Sequence, residues 1–249
     1  ITPVIVDPET LFLILTSNVK YNPTATTKGQ ATIESNVRTT ITNYNTDKLN
    51  TFNGLFRHSE LLGLIDDTDT SITSNSVNVS LAKLFTPTLA DSKSYKIYYN
   101  NALSNPHSGH NASSGGITAS TGFGITGQTG LEFFFDDDGA GNLRIYRLVS
   151  GVRTYYDSAA GTVDYSSGVI SINPISISSV SNVDGAVSTQ IRITATPDSF
   201  DVIPKRNQLL EIDLVNTSIT ASSDTVAQGN DSGNASFTTT SSYTTPSSY

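Results

Sequence analysis

The stretch from Leu131 to Ile172, LEFFFDDDGAGNLRIYRLVSGVRTYYDSAAGTVDYSSGVISI, constrains the fold of this chain more than any other segment. Leu131, Phe133 and Phe135 alternate with polar or less central positions before an Asp-Asp-Asp-Gly turn. Leu143 and Ile145 continue the period on the next strand, and Ser150-Gly151 makes a second turn. Val152, Thr154 and Tyr156 repeat the period of two. Val163 and Tyr165, a Ser166-Ser167-Gly168 turn and Val169–Ile172 complete a third pairing. Short β-formers separated by Gly, Asp, Asn and Ser are the signature of an antiparallel meander. The segment is dense in turn chemistry and nearly empty of catalytic chemistry.

The first 86 residues read differently. Leu11-Phe12-Leu13-Ile14-Leu15 is a continuous apolar run, as expected of a strand buried on both faces. Thr27 and Gln30 stand at capping-box spacing. After them Ile33, Val37, Ile41 and Tyr44 form one stripe of an amphipathic helix that ends near Asn45. A second short helix is expected around Ser59 to Ile65, and Val77, Val79 and Leu81 alternate as a strand. The fold class expected is therefore α+β. It comprises a small strand-helix-helix-strand unit over 1–86, a mostly antiparallel β domain over 87–215 and an extended Ser/Thr-rich tail over 216–249. Tyr95-Ile97-Tyr99, Gln190–Thr194 and Leu210–Leu214 supply further strands, and Asn100–Gly116 is a long polar loop of the kind used for contacts. The tail carries too little apolar surface to offset ordering entropy by itself, so the alternatives are a disordered tail or one that a partner orders.

Composition narrows the function classes. A net charge of −8, with 14 scattered basic residues, argues against nucleic-acid binding. The absence of cysteine removes disulfides and thiolate metal sites. The run Leu11–Leu15 is far too short to span a bilayer and lacks the flanks of a signal peptide, so no membrane partner is expected. Only 14% of residues are charged, and Ser, Thr, Asn and Gly take their place, as in many extracellular and viral β proteins. The chain opens Ile-Thr-Pro and holds no Met, which fits a piece of something longer.

Three motifs invite chemistry. Gly122-Phe123-Gly124-Ile125-Thr126-Gly127 spells G-x-G-x-x-G, but Gln128-Thr129-Gly130 and a strand follow where a phosphate-binding helix should open. Asp136-Asp137-Asp138-Gly139 begins like a calcium loop, yet its twelfth position is Arg147, so an acidic hairpin turn is the reading. His107 and His110 form H-x-x-H in a loop that Pro106 and Gly109 keep from being helical, and His58 is distant in sequence. There is no G-x-S-x-G elbow. No catalytic residue, metal ligand or cofactor is assigned, and the chain is read as a non-enzyme.

Three stretches resemble the C-terminal part of the ring-forming baseplate wedge subunit of T4-like contractile-tailed phages. One is Val19-Lys20-Tyr21-Asn22-Pro23 with the helix after it and Phe56-Arg57-His58-Ser59-Glu60-Leu61. The second is Gly161–Ile170, and the third is Pro204–Asp213 followed by the polar tail. The composition resembles cyanophage proteins, and the early unit is similar to the module of baseplate J-like proteins. The resemblance implies a structural role in the virion, at the tail baseplate, after assembly in the host cytoplasm. It also implies partners: a homo-oligomer that pairs as a dimer and closes a ring around the tail tube, and other wedge proteins. Exposed strand edges and spaced aromatic residues suit strand addition and wrapping around neighbours. Phe237, Tyr243 and Tyr249 are the candidate interface residues. The alternatives are a carbohydrate-binding β module, against which the lack of Trp counts, and a tail-spike glycosidase needing paired carboxylates.

Overall fold

The computed structural model describes residues 9–51, 53–105, 116–183, 185–205 and 207–224. Strand β1 (Glu9–Tyr21) alternates, burying Leu11, Leu13, Leu15, Val19 and Tyr21. Its second face is less enclosed than the continuous apolar run predicts, since Phe12 and Ile14 are only half-buried. Helix α1 (Gln30–Tyr44) places Ile33, Val37, Ile41 and Tyr44 in the core, the stripe expected from their spacing. The capping box does not form. Gly29 is the N-cap, without a side-chain bond, and the Thr26 hydroxyl accepts the Lys28 amide at 3.1 Å. A π-helical turn, Asn45–Leu49, continues α1, and α2 (His58–Asp66) then buries Leu61 and Ile65. Strand β2 (Ile72–Phe85) returns antiparallel to β1, in register from Phe12 opposite Ala82 to Lys20 opposite Ser74, with a one-residue shift before Tyr21 opposite Ile72.

The remaining strands are β3 (Ser92–Tyr98), β4 (Thr118–Ser120), β5 (Phe123–Ile125), β6 (Phe134–Asp137), β7 (Asn142–Val149), β8 (Val152–Asp164), β9 (Val169–Val180), β10 (Ile191–Ala195), β11 (Gln208–Ile212) and β12 (Ser218–Ser223). They form one sheet in the order β11-β1-β2-β10-β4-β6-β7-β8-β9-β3, with β12 also on β1 and β5 also on β9. This corrects the α+β expectation. Strands take up 49% of the described residues in one large mixed sheet, with only two short α-helices. The two strands grouped with the helices do not close off a unit of their own. β1 takes β11 and β12 in parallel on its far edge, and β2 takes β10 antiparallel on its other edge. Those partners lie more than a hundred residues away, so adjacency in sequence concealed them.

The meander forms through β6, β7, β8 and β9 as the turn pattern predicts. Ser150 and Gly151 have φ of 51° and 80°, the left-handed pair that a two-residue hairpin turn of matching twist requires. At Gly161 a Cβ would sit 2.0 Å from the Ser171 carbonyl oxygen, so only glycine lets β8 and β9 approach there. Phe123 of β5 exchanges backbone hydrogen bonds of 2.9 and 2.8 Å with Phe133, just before β6, and the rest of β5 pairs with β9. This end of the sheet therefore curls back on itself, with the Phe123 and Phe135 rings stacked at 4.5 Å. Tyr99, fully buried, donates its hydroxyl to the Ile193 carbonyl at 2.8 Å and ties the β3 end of the sheet to β10 in its middle.

The junction of α2 and β2 is pinned by Asp69. Its carboxylate accepts the Ser71 amide at 2.9 Å and the Ser71 hydroxyl at 2.6 Å, and it pairs with Lys28 ahead of α1. The Lys28 ammonium and the Ser71 hydroxyl and amide hold the Asp69 carboxyl down to about 2. A folded value below the ordinary 3.8 contributes stability above that pH, lost as pH falls toward about 2. Asp69→Asn should therefore destabilise the protein at pH 7 by about 1–3 kcal/mol. In urea unfolding across pH 2–7, the gap between variant and parent should narrow on the acid side; a gap independent of pH would contradict this account.

Candidate interaction surfaces

The acidic run is not a hairpin turn as a whole. Asp136 and Asp137 belong to β6 and are almost wholly buried, and only Asp138 lies in the turn. Alternation along the strand sends the first two to opposite faces. Asp136 meets Arg144 Nε at 3.0 Å and Nη2 at 3.2 Å, Arg153 Nη1 at 2.8 Å and the Tyr155 hydroxyl at 3.0 Å. The guanidiniums stack in turn on rings, Arg144 over Tyr155 at 4.2 Å and Arg153 over Tyr146 at 4.6 Å. Burial pushes the Asp136 carboxyl up from its ordinary value, and Arg144, Tyr155 and Arg153 pull against that. Asp137 accepts the Thr118 amide at 2.7 Å, the Gly139 amide at 3.2 Å and the Tyr165 hydroxyl at 2.7 Å. Burial, with the Asp137 charge beside it, pushes that hydroxyl up. Asp138 accepts the Ala140 and Asn142 amides.

The three carboxylates thus serve three separate hydrogen-bond sets. Among the described residues no group of three His, Asp or Glu is placed to hold a metal ion. Two of the G-x-G-x-x-G glycines serve close packing, and the third, Gly127, takes a φ of 85° in a turn. A Cβ at Gly122 would meet Glu132 Oε1 at 2.1 Å and one at Gly124 would meet Ser179 Oγ at 2.4 Å, and β5 is followed by turns, with no helix opening. His58 opens α2, its Nε2 lies 2.7 Å from the Val77 carbonyl oxygen, and its ring packs on Phe200. His107, His110, Phe237, Tyr243 and Tyr249 lie outside the described residues.

The sheet ends in two edges, and they differ. The β11–β12 edge is covered by side chains of α1 and the turn after it. Asn45 Oδ1 accepts the Ile212 amide at 2.7 Å and Glu34 Oε1 accepts the Ala221 amide at 2.9 Å. Arg38 donates to the Leu214 and Thr217 carbonyls at 3.0 and 3.3 Å. The Ala221 amide and Gln30 hold the Glu34 carboxyl below its ordinary value. Two strand amides that would otherwise be open to another strand are thereby occupied. The β3 edge carries Lys93 and Lys96, charges that make strand addition costly. The expectation that bare edges would serve strand addition named neither device, because Glu34, Arg38 and Asn45 read as ordinary polar positions on a helix.

Residues 9–84 match the family model Baseplate structural protein gp6, C-terminal domain III. The match begins at the first residue of β1 and stops one residue short of the end of β2. It covers less than a third of the chain and supports a T4-like phage baseplate structural protein. Val19–Pro23 and Phe56–Leu61 fall inside it, whereas Gly161–Ile170 and Pro204–Asp213 fall outside. No curated protein matches the chain.

Two expectations follow from these contacts. Asp136→Asn leaves two guanidiniums without their buried counter-charge and should cost about 3–5 kcal/mol in urea unfolding; a loss under about 1 kcal/mol would mean solvent already screens the cluster. Replacing Glu34 and Asn45 together by alanine should speed amide hydrogen exchange at Ala221 and Ile212 by about tenfold or more, since about 1.4 kcal/mol of local protection is tenfold. Unchanged exchange at both amides would show that α1 does not protect this edge.

Proposed function

We propose that this chain is a structural component of a contractile phage tail baseplate, self-associating and joining neighbouring wedge subunits into a ring around the tail tube. The observation that carries the reading is the match of residues 9–84 to a baseplate family model. Three physical features support it. The buried charges of Asp136 and Arg144, with the partly exposed Arg153, satisfy one another, so they are spent on holding the β-strands together. The sheet is continuous from β11 to β3, a framework suited to bearing load between neighbours. The surface is solvated mainly by neutral polar side chains, which cost less to desolvate than charges in the large interfaces of a long-lived assembly.

In this reading 1–86 corresponds in sequence to the baseplate J-like module while sharing one sheet with 87–215, and 216–249 is the tail that reaches a neighbouring subunit through Phe237, Tyr243 and Tyr249. The tail's first residues already enter the sheet as β12. The protein acts in the virion, after assembly in the host cytoplasm, without catalysis. Immunogold labelling of purified phage with antibody raised against the chain tests this. Label is expected at the baseplate end of the tail; label on the head or along the sheath, or none on virions that carry a contractile tail, would overturn it.

A further inference from the structure

The strands of the meander part at one place, and side chains hold them apart. β8 and β9 pair only through residues 161–164 against 169–172. Farther along, β9 takes β5 as its neighbour while β8 stays with β7. Between the pairs Leu143–Gly161 and Ile145–Asp157, β8 holds two more residues than β7, a bulge that swings it away from β9. The Asp157 carboxylate accepts the Ala159 amide at 2.8 Å, and the Asn173 side-chain amide of β9 donates to the Ala159 carbonyl at 2.9 Å. The cleft between the parted strands has a volume of about 230 Å³. The buried Ile125 and Ile145 lie at its floor, with Tyr156, Asp157, Asn173 and Ser176 around them.

The cleft is amphipathic, and some of its polar capacity is unspent. Tyr156 is 51% exposed, yet its ring packs on the fully buried Phe133, 5.0 Å away and tilted at 59°, so an apolar surface is fixed before anything binds. The Ser176 hydroxyl is already paired with that of Thr126, and one Asp157 oxygen and the Asn173 nitrogen serve the bulge. The second Asp157 oxygen, the Asn173 side-chain carbonyl and the Tyr156 hydroxyl make no hydrogen bond among the described residues. Asp157 is the one charged residue lining the cleft, so phosphate and carboxylate ligands are repelled. A wholly apolar ligand would strip water from the carboxylate and the amide without replacing it. A polyhydroxy ring meets both demands. Its C–H groups suit the tyrosine and the isoleucines, and its hydroxyls donate to the carboxylate in a charge-assisted bond. The volume lies below the ~300–1,000 Å³ of drug-sized pockets, which suits a single ring.

We propose that this cleft binds one neutral pyranose ring, either a free sugar or a unit of a glycan, with Tyr156 as the stacking surface and Asp157 and Asn173 as the hydroxyl acceptors. Saturation-transfer NMR of the full chain with the methyl glycosides of glucose, galactose, mannose and N-acetylglucosamine tests it. At least one should receive saturation at its ring protons, with a Kd of about 1 mM. Tyr156→Ala removes the stacking surface. Asp157→Asn keeps an acceptor for the Ala159 amide and so spares the bulge, while the free carboxylate oxygen is lost. Each should weaken binding at least about fivefold, with circular dichroism checking the fold. Tyr98→Ala, at a tyrosine on β3 that is 45% exposed, should bind as the parent does. Competition by a trisaccharide of the bound sugar assigns the cleft to a glycan, and failure to compete assigns it to the free sugar. The proposal is overturned by no transfer to any of the four, by full binding in Tyr156→Ala or Asp157→Asn, by an equal loss in Tyr98→Ala, or by glucuronate binding more tightly than the glucoside.

Discussion

The pairing of β1 with β2 is the interaction on which the rest of the molecule depends. Nine residues of each strand, from Phe12 opposite Ala82 to Lys20 opposite Ser74, stand in unbroken register, and the buried rows join α1 and α2 in one core. Everything else attaches to one of its two outer edges. β11 and β12 bind β1 in parallel, and β10 binds β2 and carries β4, β6 and the meander beyond it. The helices cover one face because Ile33, Val37, Ile41, Tyr44, Leu61 and Ile65 need that face to leave water. Neither helix would hold alone. At fifteen and nine residues they are near or below the length at which an isolated helix is stable in water.

Such a sheet is assembled from pairings that are far apart in the chain. β11 and β12 reach back to β1 across nearly two hundred residues, and β10 inserts beside β2 across about a hundred. The loop entropy of those closures must be met before the ladder repays it, which makes the fold slow to form. Local devices reduce the burden. The Asp213 carboxylate accepts the Val215 and Asn216 amides and shapes the break between β11 and β12, and the Thr217 hydroxyl accepts the Leu15 amide at the same break. One edge strand is thereby laid along β1 in two registers without losing its backbone partners.

The legible part of the fold was the part set by neighbours in sequence. The stripe Ile33, Val37, Ile41 and Tyr44, the helix near Ser59–Ile65 and the turns at Ser150-Gly151 and Ser166–Gly168 depend on residues within one turn or hairpin, and the structure has them. What period and propensity do not encode is which strand lies beside which. The grouping of β1 and β2 with the helices as a separate α/β unit failed for that reason. The same limit explains Asp136 and Asp137, which look like turn residues until their partners Arg153, Tyr155 and Tyr165 arrive from β8 and the segment after it. A sequence signal did exist. Arg144, Arg153 and Tyr155 sit at positions of alternating strands that face the same side, and two arginines there need a counter-charge.

The treatment of the sheet edges constrains how this molecule can join others. A β protein built to assemble by strand addition leaves an edge flat and unpaired. Here one edge has the Ala221 and Ile212 amides taken up by Glu34 and Asn45 and the Leu214 and Thr217 carbonyls of its break taken up by Arg38, and the other presents lysines at positions 93 and 96. Both arrangements oppose backbone pairing with a neighbour, and open-ended strand addition is the route to uncontrolled fibres. Association through side chains is what remains, with its geometry set by where apolar groups project and where they recede. Side chains, unlike an open strand edge, fix one register for a contact, so any partner must match the exposed groups of one face.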